Sequence, residues 1–527
     1  MPVLQPAATK GIKLQRETQR AKSHTIKTLA ACALLFVAFF AAVGGTSSEV
    51  QASPGRPNIV LILTDDMRQD DLGYMPKTQK LIVDEGMEFA NAFVTTPTCC
   101  PSRASILRGQ YAHNHQVLTN HLPLGGFDKF MELGDEESTV ATWLADIGYH
   151  TSFFGKYLND YDGMEDATHV PQGWDEWYAR AVPGYYNYGI SENGRMVFYG
   201  SREQDYLTDV ITVKATDSVR NSAGSSEPLF MYLAPNAPHS PYENAPRHED
   251  LFTQVQAPKP PSFNEEDIGD KPDNFLGDRS SDDEEDHSET DEADVSDDES
   301  SEEQSERPRL SSDEEAELDE TYRKRLRMLQ AVDDMVEGVV NALAETGRLE
   351  NTYIFFTSDN GLLLGEHRLV GKGAPYEEAI RVPLAVRGPS ISAGSTTDRI
   401  ALNIDLAPTF AELAGASLPT FVDGRSLRPL FASDVAPWRT EFLEEFFSNG
   451  KKKRYKAVRT SSGVKYVDYE KKGREELYDL NKDPYELESQ HETVEAAQRK
   501  SLRKHLHALE GCAGESCRTA EDGSLPS

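Results

Sequence analysis

Two adjacent cysteines, Cys99 and Cys100, stand directly before a Pro-Ser-Arg step and a short apolar run. Proline and serine at such a place are typical of a helix that is just beginning, so the pattern predicts a helix N-terminus close to Cys99. The free N–H groups of a helix N-terminus attract an anion, and the planar guanidinium of Arg103 suits a tetrahedral oxyanion. The motif is therefore a candidate anion site that contains a thiol. The alternative is a structural cysteine pair that opens an ordinary helix.

Pairs of side chains that could bind a metal follow two apolar segments. Residues 59–63 form an unbroken apolar run, typical of a strand buried on both faces, and Asp65 and Asp66 come directly after it. A second run of this kind ends in Asp359 and Asn360. One aspartate could cap a helix, but two adjacent carboxylates repel each other unless a cation lies between them. Four oxygen-bearing side chains suit a hard cation such as Ca²⁺ or Mg²⁺ better than zinc.

Three further polar side chains lie near the ends of predicted elements. Lys156 follows a buried strand predicted at residues 149–154, and His239 follows one at residues 228–233. Three prolines surround His239, and they restrict the directions in which its imidazole can point. Lys372 stands between two glycines. Taken singly, each of these residues has an ordinary explanation, such as an exposed surface lysine.

The placement of these side chains predicts one active site at the edge of an α/β sheet. Open α/β sheets bind ligands at the carboxyl ends of their strands, and four predicted strands carry polar side chains there. Stability explains such a collection poorly, whereas one active site explains it well. From about residue 440 the pattern changes to short alternating segments, which predict a small antiparallel sheet. Helices are predicted at residues 76–90, 138–148, 205–222, 318–347, 404–415 and 488–510.

The negative charge of the chain is concentrated in one segment. The formal net charge of the 527 residues is −34, but residues 265–320 alone contain 27 acidic and 4 basic residues. This composition predicts a disordered acidic insertion. No basic stripe offsets the acidity, so nucleic acid is not expected as a partner. The predicted domains are a catalytic domain over residues 53–435, a small α+β subdomain over 436–511 and a tail over 512–527.

The first 52 residues are typical of a signal peptide. A basic stretch precedes an apolar run at residues 29–43, and Val50-Gln51-Ala52 resembles a cleavage site. The run is short for a membrane span, so cleavage is favoured over anchoring. We therefore expect an exported protein, secreted, periplasmic or on the cell surface, with membrane contact only through an uncleaved N-terminal segment.

Four cysteines lie beyond this predicted signal. Cys512 and Cys517 are separated by four residues and could close a small disulfide loop in an exported protein. Cys99 and Cys100 are a poor pair, because a disulfide between neighbouring residues lies outside the usual geometry.

The motif Cys99-x-Pro101-x-Arg103, followed by Leu107 and Gly109, resembles the signature of the type I, formylglycine-dependent sulfatase family. The resemblance covers most of the chain after the predicted signal. It implies an alkaline-phosphatase-like fold, in which helices flank a large mixed sheet and a small C-terminal antiparallel sheet plus helix follows. The stretches that resemble the N-acetylglucosamine-6-sulfatase branch include Gly-Lys-Tyr-Leu-Asn at 155–159, Ala-Pro-His-Ser-Pro at 237–241 and Tyr-Asp-Leu-Asn-Lys-Asp-Pro at 478–484.

The resemblance implies a role for each candidate residue. Cys99 matches the cysteine that is oxidised to formylglycine (3-oxoalanine), which implies a formylglycine-generating enzyme as a maturation partner. Arg103 matches the arginine that holds the modified residue, and His239 matches the histidine near the leaving group. Lys156 and Lys372 match the two sulfate-binding lysines. With Ca²⁺ as the implied cofactor and Mg²⁺ as the alternative, the implied metal ligands are Asp65, Asp66, Cys99, Asp359 and Asn360.

The implied reaction is hydrolysis of a sulfate monoester on a small substrate, most simply a sulfated sugar. Many arylsulfatases have a histidine two residues after the first lysine, where this chain has Leu158. The role of that histidine must then be absent or supplied elsewhere. Two alternatives stay open: a phosphonate or phosphate ester hydrolase of the same superfamily, and an exported binding protein that keeps the fold but is never modified.

Overall fold

The structure is a computed structural model and describes residues 55–161, 168–272, 307–432, 437–448, 454–469 and 474–523. The predicted signal peptide and the centre of the acidic insertion, residues 273–306, lie outside the described residues. Within the described ranges, every helix is too short or too polar to cross a membrane.

The strands supply one large sheet and several small ones. Their bounds in chain order are β1 (Asn58–Thr64), β2 (Met87–Phe89), β3 (Ala92–Phe93), β4 (His150–Gly155), β5 (Glu176–Val182), β6 (Gly189–Glu192), β7 (Arg195–Phe198), β8 (Leu229–Ala234), β9 (Thr352–Ser358), β10 (Leu363–Leu364), β11 (Val370–Gly371), β12 (Leu384–Arg387), β13 (Ser395–Thr397), β14 (Ala401–Leu402), β15 (Glu441–Phe446), β16 (Tyr455–Thr460), β17 (Val464–Tyr469) and β18 (Glu475–Asp479).

The large sheet is mixed, as the resemblance to the sulfatase family implies. Its ten strands lie in the order β13-β2-β12-β9-β1-β8-β4-β5-β6-β7. The five central strands, from β9 to β5, are parallel neighbours, whereas β12 and β6 pair with them in the antiparallel sense. Parallel neighbours end at the same edge of a sheet, so the carboxyl ends of β9, β1, β8 and β4 lie side by side.

Both faces of the large sheet are covered. Along β1, Ile59, Leu61 and Leu63 point into one hydrophobic cluster, while Val60 and Ile62 point into another. All seven residues of β1 are buried, which is what an unbroken apolar run predicts for a helix-covered sheet. The prediction of an α/β fold is confirmed.

The helices form the two covering layers. The helices at Leu207–Asn221 and Ser312–Glu345 contribute to the cluster that contains Val60, and those at Cys99–Arg108 and Leu406–Ala414 contribute to the cluster that contains Ile59. The bounds are α1 (Pro76–Thr78), α2 (Cys99–Arg108), α3 (Ala112–His115), α4 (Gly126–Glu132), α5 (Val140–Ala145), α6 (Leu207–Asn221), α7 (Ser312–Glu345), α8 (Glu377–Ile380), α9 (Leu406–Ala414), α10 (Arg428–Ala432), α11 (Ala496–Glu510) and α12 (Glu515–Glu521).

The C-terminal part contains the predicted small sheet. Strands β15 to β18 pair in sequence order, all antiparallel. The described residues after 511, within the segment predicted as a tail, are folded. Cys512 and Cys517 form a disulfide, and Glu521 in α12 accepts hydrogen bonds from the Tyr111 hydroxyl at 2.7 Å and from Arg439 Nε at 3.0 Å.

The described flanks of the acidic insertion are packed. Asn264 and Leu310 exchange two hydrogen bonds, at 3.0 and 2.8 Å, and so hold the two flanks together. Helix α7 begins at Ser312, several residues before the predicted start, because Ser311 and Glu314 form a capping box. The acidic residues of this first turn belong to a helix, although their composition alone suggests disorder.

The predicted helix at residues 76–90 is wrong in its second half. After α1 and a short π-helical turn at Gln79–Val83, the chain turns at Gly86 and enters β2. The space beside Gly86 is filled by the backbone of Val386 in β12, so pairing with β12 and β13 overrides the helical pattern. The predicted helices at 138–148 and 488–510 are shorter in the structure, as α5 and α11.

Candidate active site

Four adjacent strands deliver most of the polar side chains predicted for the site. Asp65 and Asp66 follow β1, and Asp359 and Asn360 follow its neighbour β9, with Thr64 and Ser358 paired at the ends of the two strands. Lys156 follows β4, and the loop that carries His239 follows β8. The structure therefore brings together residues that are as much as 295 positions apart, because their strands are parallel neighbours.

The four metal-binding candidates form one buried group. The backbone N–H of Asp66 donates to Asp359 Oδ1 at 3.1 Å, and Asn360 Nδ2 donates to Asp66 Oδ1 at 2.7 Å. Asp66 has a positive φ of 64°, in the left-handed region that aspartate tolerates better than most residues. Asp65 and Asp359 are both fully buried, so their charges must be compensated inside the protein.

Cys99 lies at the first turn of α2 and points into this group. Its Sγ is 3.3 Å from Asp65 Oδ1 and 3.7 Å from Asp66 Oδ1, and Lys372 Nζ lies 2.8 Å away. Cys100 packs instead into the hydrophobic cluster on one face of the sheet. Adjacent residues of a helix point about 100° apart, so only one of the two thiols faces the site.

Three cations surround the carboxylates. Arg103, one turn after Cys99 on the same helix, donates from Nε to Asp359 Oδ2 at 2.8 Å. Lys156 Nζ is 2.7 Å from Asp65 Oδ2, and Lys372 Nζ is 2.6 Å from Asp66 Oδ1. Arg103 is fully buried and also donates to the carbonyl oxygen of Lys156 at 2.6 Å. Each of the three buried carboxylates is thus paired with at least one cation.

His239 completes the group from the β8 side. Its Nδ1 is 2.8 Å from the carbonyl oxygen of Ser240, so this nitrogen carries a hydrogen and donates it. Its Nε2 is 3.7 Å from Asp66 Oδ2 and faces the site. Leu158, where many arylsulfatases have a second histidine, is buried in the hydrophobic cluster with Cys100 and offers no proton-carrying group.

The electrostatic environment sets the protonation of these groups. Burial opposes ionisation of Asp65, but Lys156, His239 and Arg103 together hold its pKa well below the usual value. Burial, reinforced by Asp65, raises the pKa of the Cys99 thiol well above its usual value. An unmodified Cys99 is therefore protonated at neutral pH and is a poor nucleophile.

The residues fit a hard divalent cation. Ligand atoms of Asp65, Asp66, Cys99 and His239 all lie within 4.8 Å of one another. Among the described residues, the buried Oδ1 of Asn360 has no hydrogen-bond partner, and an unpaired buried carbonyl oxygen is a natural ligand for Ca²⁺. Asp359 is the least available of the predicted ligands, since its oxygens already accept from Arg103 and from backbone N–H groups.

Two residues that contact the site were not predicted. The Tyr185 hydroxyl donates to the carbonyl oxygen of His239 at 2.8 Å, and Arg325 of α7 donates to the carbonyl oxygen of Asp66 at 2.5 Å. Both act on backbone atoms, which leave no motif in a sequence. One feature of the sequence indicates that Arg325 is buried: it stands next to Leu326, in the apolar stripe of the long predicted helix.

Comparison with known proteins gives the family. Residues 57–416 match the Sulfatase family, and residues 365–511 match the C-terminal region of N-sulphoglucosamine sulphohydrolase. The chain is 36% identical over 513 residues to an N-acetylglucosamine-6-sulfatase of Homo sapiens, covering 89% of this chain and 87% of the relative. It is 28% identical to an N-acetylglucosamine-6-O-sulfatase of Bacteroides thetaiotaomicron, covering 82% of each.

Solved structures share the fold. A protein solved in complex with its substrate, D-glucosamine-2-N,6-O-disulfate, is 26% identical, with a TM-score of 0.67 and coverage of 89% of this chain and 99% of its own. A phosphonate monoester hydrolase from Silicibacter pomeroyi shares the fold, with a TM-score of 0.63 at 20% identity. The resemblance of the Cys99 motif is thereby confirmed: the chain belongs to the sulfatase family and is a hydrolase.

Proposed function

We propose that the protein hydrolyses sulfate monoesters of amino sugars, with 6-sulfated N-acetylglucosamine as the first substrate to test, through a formylglycine at position 99 and a bound divalent cation. The observation that carries the proposal is the position of Cys99 Sγ, 3.3 Å from Asp65 and 2.8 Å from Lys372. The substrate class rests on the relatives, two of which are N-acetylglucosamine-6-sulfatases by name.

The nucleophile must differ from an ordinary thiol. Burial keeps the Cys99 thiol protonated, and a sulfate ester is itself an anion that repels a thiolate. A formylglycine at position 99 would supply, as its hydrate, two hydroxyls on one carbon, which would allow both attack on sulfur and later release of the sulfate. A serine could form the same ester but has no second hydroxyl with which to release it.

The cations of the site can bind the sulfate oxygens. Lys156 and Lys372 are paired with Asp65 and Asp66. The Lys372 ammonium lies 2.8 Å from Cys99 Sγ, and that of Lys156 lies on the other oxygen of the carboxylate that faces this sulfur. Their positive charges offset the charge that develops on the sulfate oxygens in the transition state. Arg103 fixes the position of Lys156 and Asp359 by donating hydrogen bonds to the Lys156 carbonyl oxygen and to the Asp359 carboxylate.

The divalent cation would be held by Asp65, Asp66 and Asn360, with Asp359 and residue 99 beside them. Bound there, Ca²⁺ would supply positive charge next to the sulfate and the nucleophile.

His239 is placed to serve the leaving alcohol. An alkoxide leaves readily only if it receives a proton, and the Nε2 of His239 faces the site. Burial lowers the pKa of His239, and the neighbouring Asp65 partly offsets this. Since Leu158 cannot donate a proton, we assign the protonation of the leaving alkoxide to His239.

We further propose that the protein is exported and matures with a formylglycine-generating enzyme. The basic and apolar pattern of the first 52 residues supports export. The Cys512–Cys517 disulfide is consistent with it, because disulfides persist mainly outside the reducing cytosol. Export would place the enzyme where sulfated polysaccharides occur.

The test is sulfate release from N-acetylglucosamine 6-sulfate by the protein co-expressed with a formylglycine-generating enzyme. The matched N-acetylglucosamine 6-phosphate separates a sulfatase from a phosphatase, and the Cys99→Ala variant is the control for contaminating activity. We expect sulfate release by the wild type only. Faster turnover of the phosphate or of a phosphonate monoester would assign the protein to the other hydrolase class, and binding without turnover would support an unmodified binding protein.

A further inference from the structure

The loop that carries His239 is held by three consecutive backbone carbonyl oxygens. The oxygen of Ala237 accepts from the N–H of Asp65 at 3.3 Å. The next one, of Pro238, accepts from Arg325 at 3.2 Å, and that of His239 accepts from the Tyr185 hydroxyl at 2.8 Å. Each acceptor is anchored by a different part of the chain, so the imidazole is placed by the fold and not by the loop alone.

Arg325 is a side chain that bonds backbone atoms on both sides of the site. One terminal nitrogen donates to the Pro238 carbonyl, and the other donates to the carbonyl oxygen of Asp66 at 2.5 Å. Asp71, 3.6 Å away, pairs with the same guanidinium. The side chain is fully buried, and a buried guanidinium with planar donors fixes the distance between the groups it bridges.

Its place in the chain also sets Arg325 apart. It lies on α7, among the side chains that α7 packs against the sheet, next to Leu326 and Leu329 in the cluster behind β1. A buried arginine is costly unless its hydrogen bonds are made, and leucine or methionine would fill such a site with less penalty. Stability alone therefore gives a weak reason for an arginine at this position.

We propose that Arg325 is a positioning residue that sets the spacing between Asp66 and His239, and through it the protonation of the leaving alcohol. The inference rests on the proposed function, in which His239 assists the departing oxygen. When the S–O bond to the alcohol breaks, His239 in its imidazolium form gives the proton on Nε2 to the departing oxygen and keeps the hydrogen that Nδ1 donates to Ser240. This transfer requires Nε2 to lie within hydrogen-bond reach of that oxygen. Arg325 touches only backbone atoms of the site and has no contact with the sulfur of Cys99.

The same helix offers a matched control. Arg327 lies two residues further along α7, is nearly as buried, and donates from Nε to the carbonyl oxygen of Leu251 at 2.9 Å. Leu251 belongs to the same long connection as His239 but lies twelve residues beyond it. Arg327→Met therefore removes a comparable charge and a comparable backbone hydrogen bond from the same helix, away from the site.

The test compares two leaving groups. The kcat/KM ratio of N-acetylglucosamine 6-sulfate to 4-nitrophenyl sulfate does not depend on how much of the protein is folded or modified, because both substrates use the same active enzyme. The sugar alkoxide needs a proton, whereas 4-nitrophenolate leaves without one. We expect Arg325→Met to lower this ratio by about tenfold or more, mainly through kcat for the sugar sulfate, because general acid catalysis is worth roughly 10²–10⁴-fold.

Two further variants complete the experiment. Arg325→Lys, which keeps the charge but reaches the two carbonyls less well, should lie between the wild type and Arg325→Met, and Arg327→Met should keep the wild-type ratio. If Arg325→Met does not fold, Arg325→Lys decides. A wild-type ratio in Arg325→Lys or Arg325→Met, or the same fall in Arg327→Met, overturns the inference. Absence of sulfate release by the wild type would instead overturn the proposed function.

Discussion

At the scale of single residues, the site distinguishes two thiols that the sequence places side by side. Cys99 faces Asp65, Asp66 and Lys372, whereas Cys100 belongs to the hydrophobic core. The difference follows from the helical rotation between adjacent residues. Of the two thiols, only that of Cys99 is placed for the modification proposed above.

The first prediction concerns these two thiols. Cys99→Ser should reduce sulfate ester turnover by roughly a thousandfold or more, because a serine ester of sulfate cannot expel its sulfate. Cys100→Ala, the matched control, removes a small core side chain and should keep activity at some cost in stability. Initial rates of sulfate release by the two purified variants provide the measurement. Equal rates in Cys99→Ser and the wild type would contradict the assignment.

The second prediction concerns the metal. EDTA should lower sulfate release, and Ca²⁺ or Mg²⁺ should restore it. Asn360→Ala removes the unpaired buried oxygen and should raise the Ca²⁺ concentration for half-maximal activity by roughly 10–100-fold. Asn58→Ala is the control, since Asn58 is buried at the opposite end of β1 and bonds Thr352 at 3.0 Å. An EDTA-treated protein that is metal-free and fully active would rule out the cation.

At the scale of elements, the ends of the strands were predictable, but the side chains that hold the surrounding loops were not. Apolar runs that stop at a polar pair reveal strands and their carboxyl ends, so Asp65 and Asp359 could be placed at one edge from sequence. Arg325 and Tyr185 could not be placed, because they bind backbone carbonyls of segments distant in the chain. Such contacts depend on tertiary packing, and no local pattern encodes them.

Helix boundaries failed for a related reason. The predicted helix at 76–90 gives way to β2 because pairing with β12 and β13 outweighs local propensity. Helix α7 starts earlier than predicted because Ser311 and Glu314 cap it. Strand pairing decided the first boundary and a polar cap decided the second. The prediction relied on the apolar pattern, which shows neither interaction.

The third prediction concerns the support of the motif helix. His115 Nδ1 accepts from the N–H of Val117 at 3.1 Å, so its Nε2 carries the hydrogen and donates it to Ser105 of α2 at 3.0 Å. Burial lowers the pKa of His115 from 6.5 to about 3. The folded state therefore keeps His115 neutral, while the unfolded chain protonates it once the pH falls below 6.5.

This difference makes stability depend on pH in a defined direction. Neutral His115 contributes fully to the free energy of unfolding above pH 6.5. This contribution is lost as the pH falls, at about 1.4 kcal/mol per pH unit between 6.5 and 3. His115→Gln cannot titrate and should lose less stability on acidification. Urea midpoints at pH 7.5, 6 and 5 for the two proteins provide the measurement. If the wild type and His115→Gln lose the same stability on acidification, His115 has the same pKa in the folded and unfolded states.

At the scale of the whole molecule, the C-terminal subdomain is joined to the motif helix region. Tyr111, just after α2, bonds Glu521 of the last helix, and His113 lies 3.0 Å from the carbonyl oxygen of Cys512. The disulfide loop and α12 thus support the segment that follows α2, the helix that carries Cys99. The residues predicted as a tail belong, as far as they are described, to the folded molecule.

The fourth prediction concerns the acidic insertion, whose centre lies outside the described residues. Sulfated polysaccharides are polyanions, and a net negative segment near the site would slow their approach. Replacing residues 275–304 by a short Gly-Ser linker should leave turnover of N-acetylglucosamine 6-sulfate nearly unchanged and raise the rate on a sulfated polymer at low salt. The gain should shrink at physiological ionic strength, where the Debye length is about 8 Å.

The linker is expected to be tolerated because Asn264 and Leu310 hold the flanks of the insertion together. A variant of equal length with serine and glutamine in place of the acidic residues separates charge from length. We expect this variant to behave like the linker variant on both substrates. Loss of activity on both substrates in the two variants would show that the segment is needed for the structure.

The central claim is that this member of the sulfatase family acts through a modified Cys99, and its most direct test is the mass of the peptide that contains residues 97–103. Conversion to formylglycine replaces a sulfur and two hydrogens by one oxygen and lowers the mass accordingly. In a preparation that releases sulfate, we predict this lower mass, with fragmentation placing the change at Cys99 and leaving Cys100 a thiol. An active preparation in which Cys99 is unmodified throughout would contradict the claim.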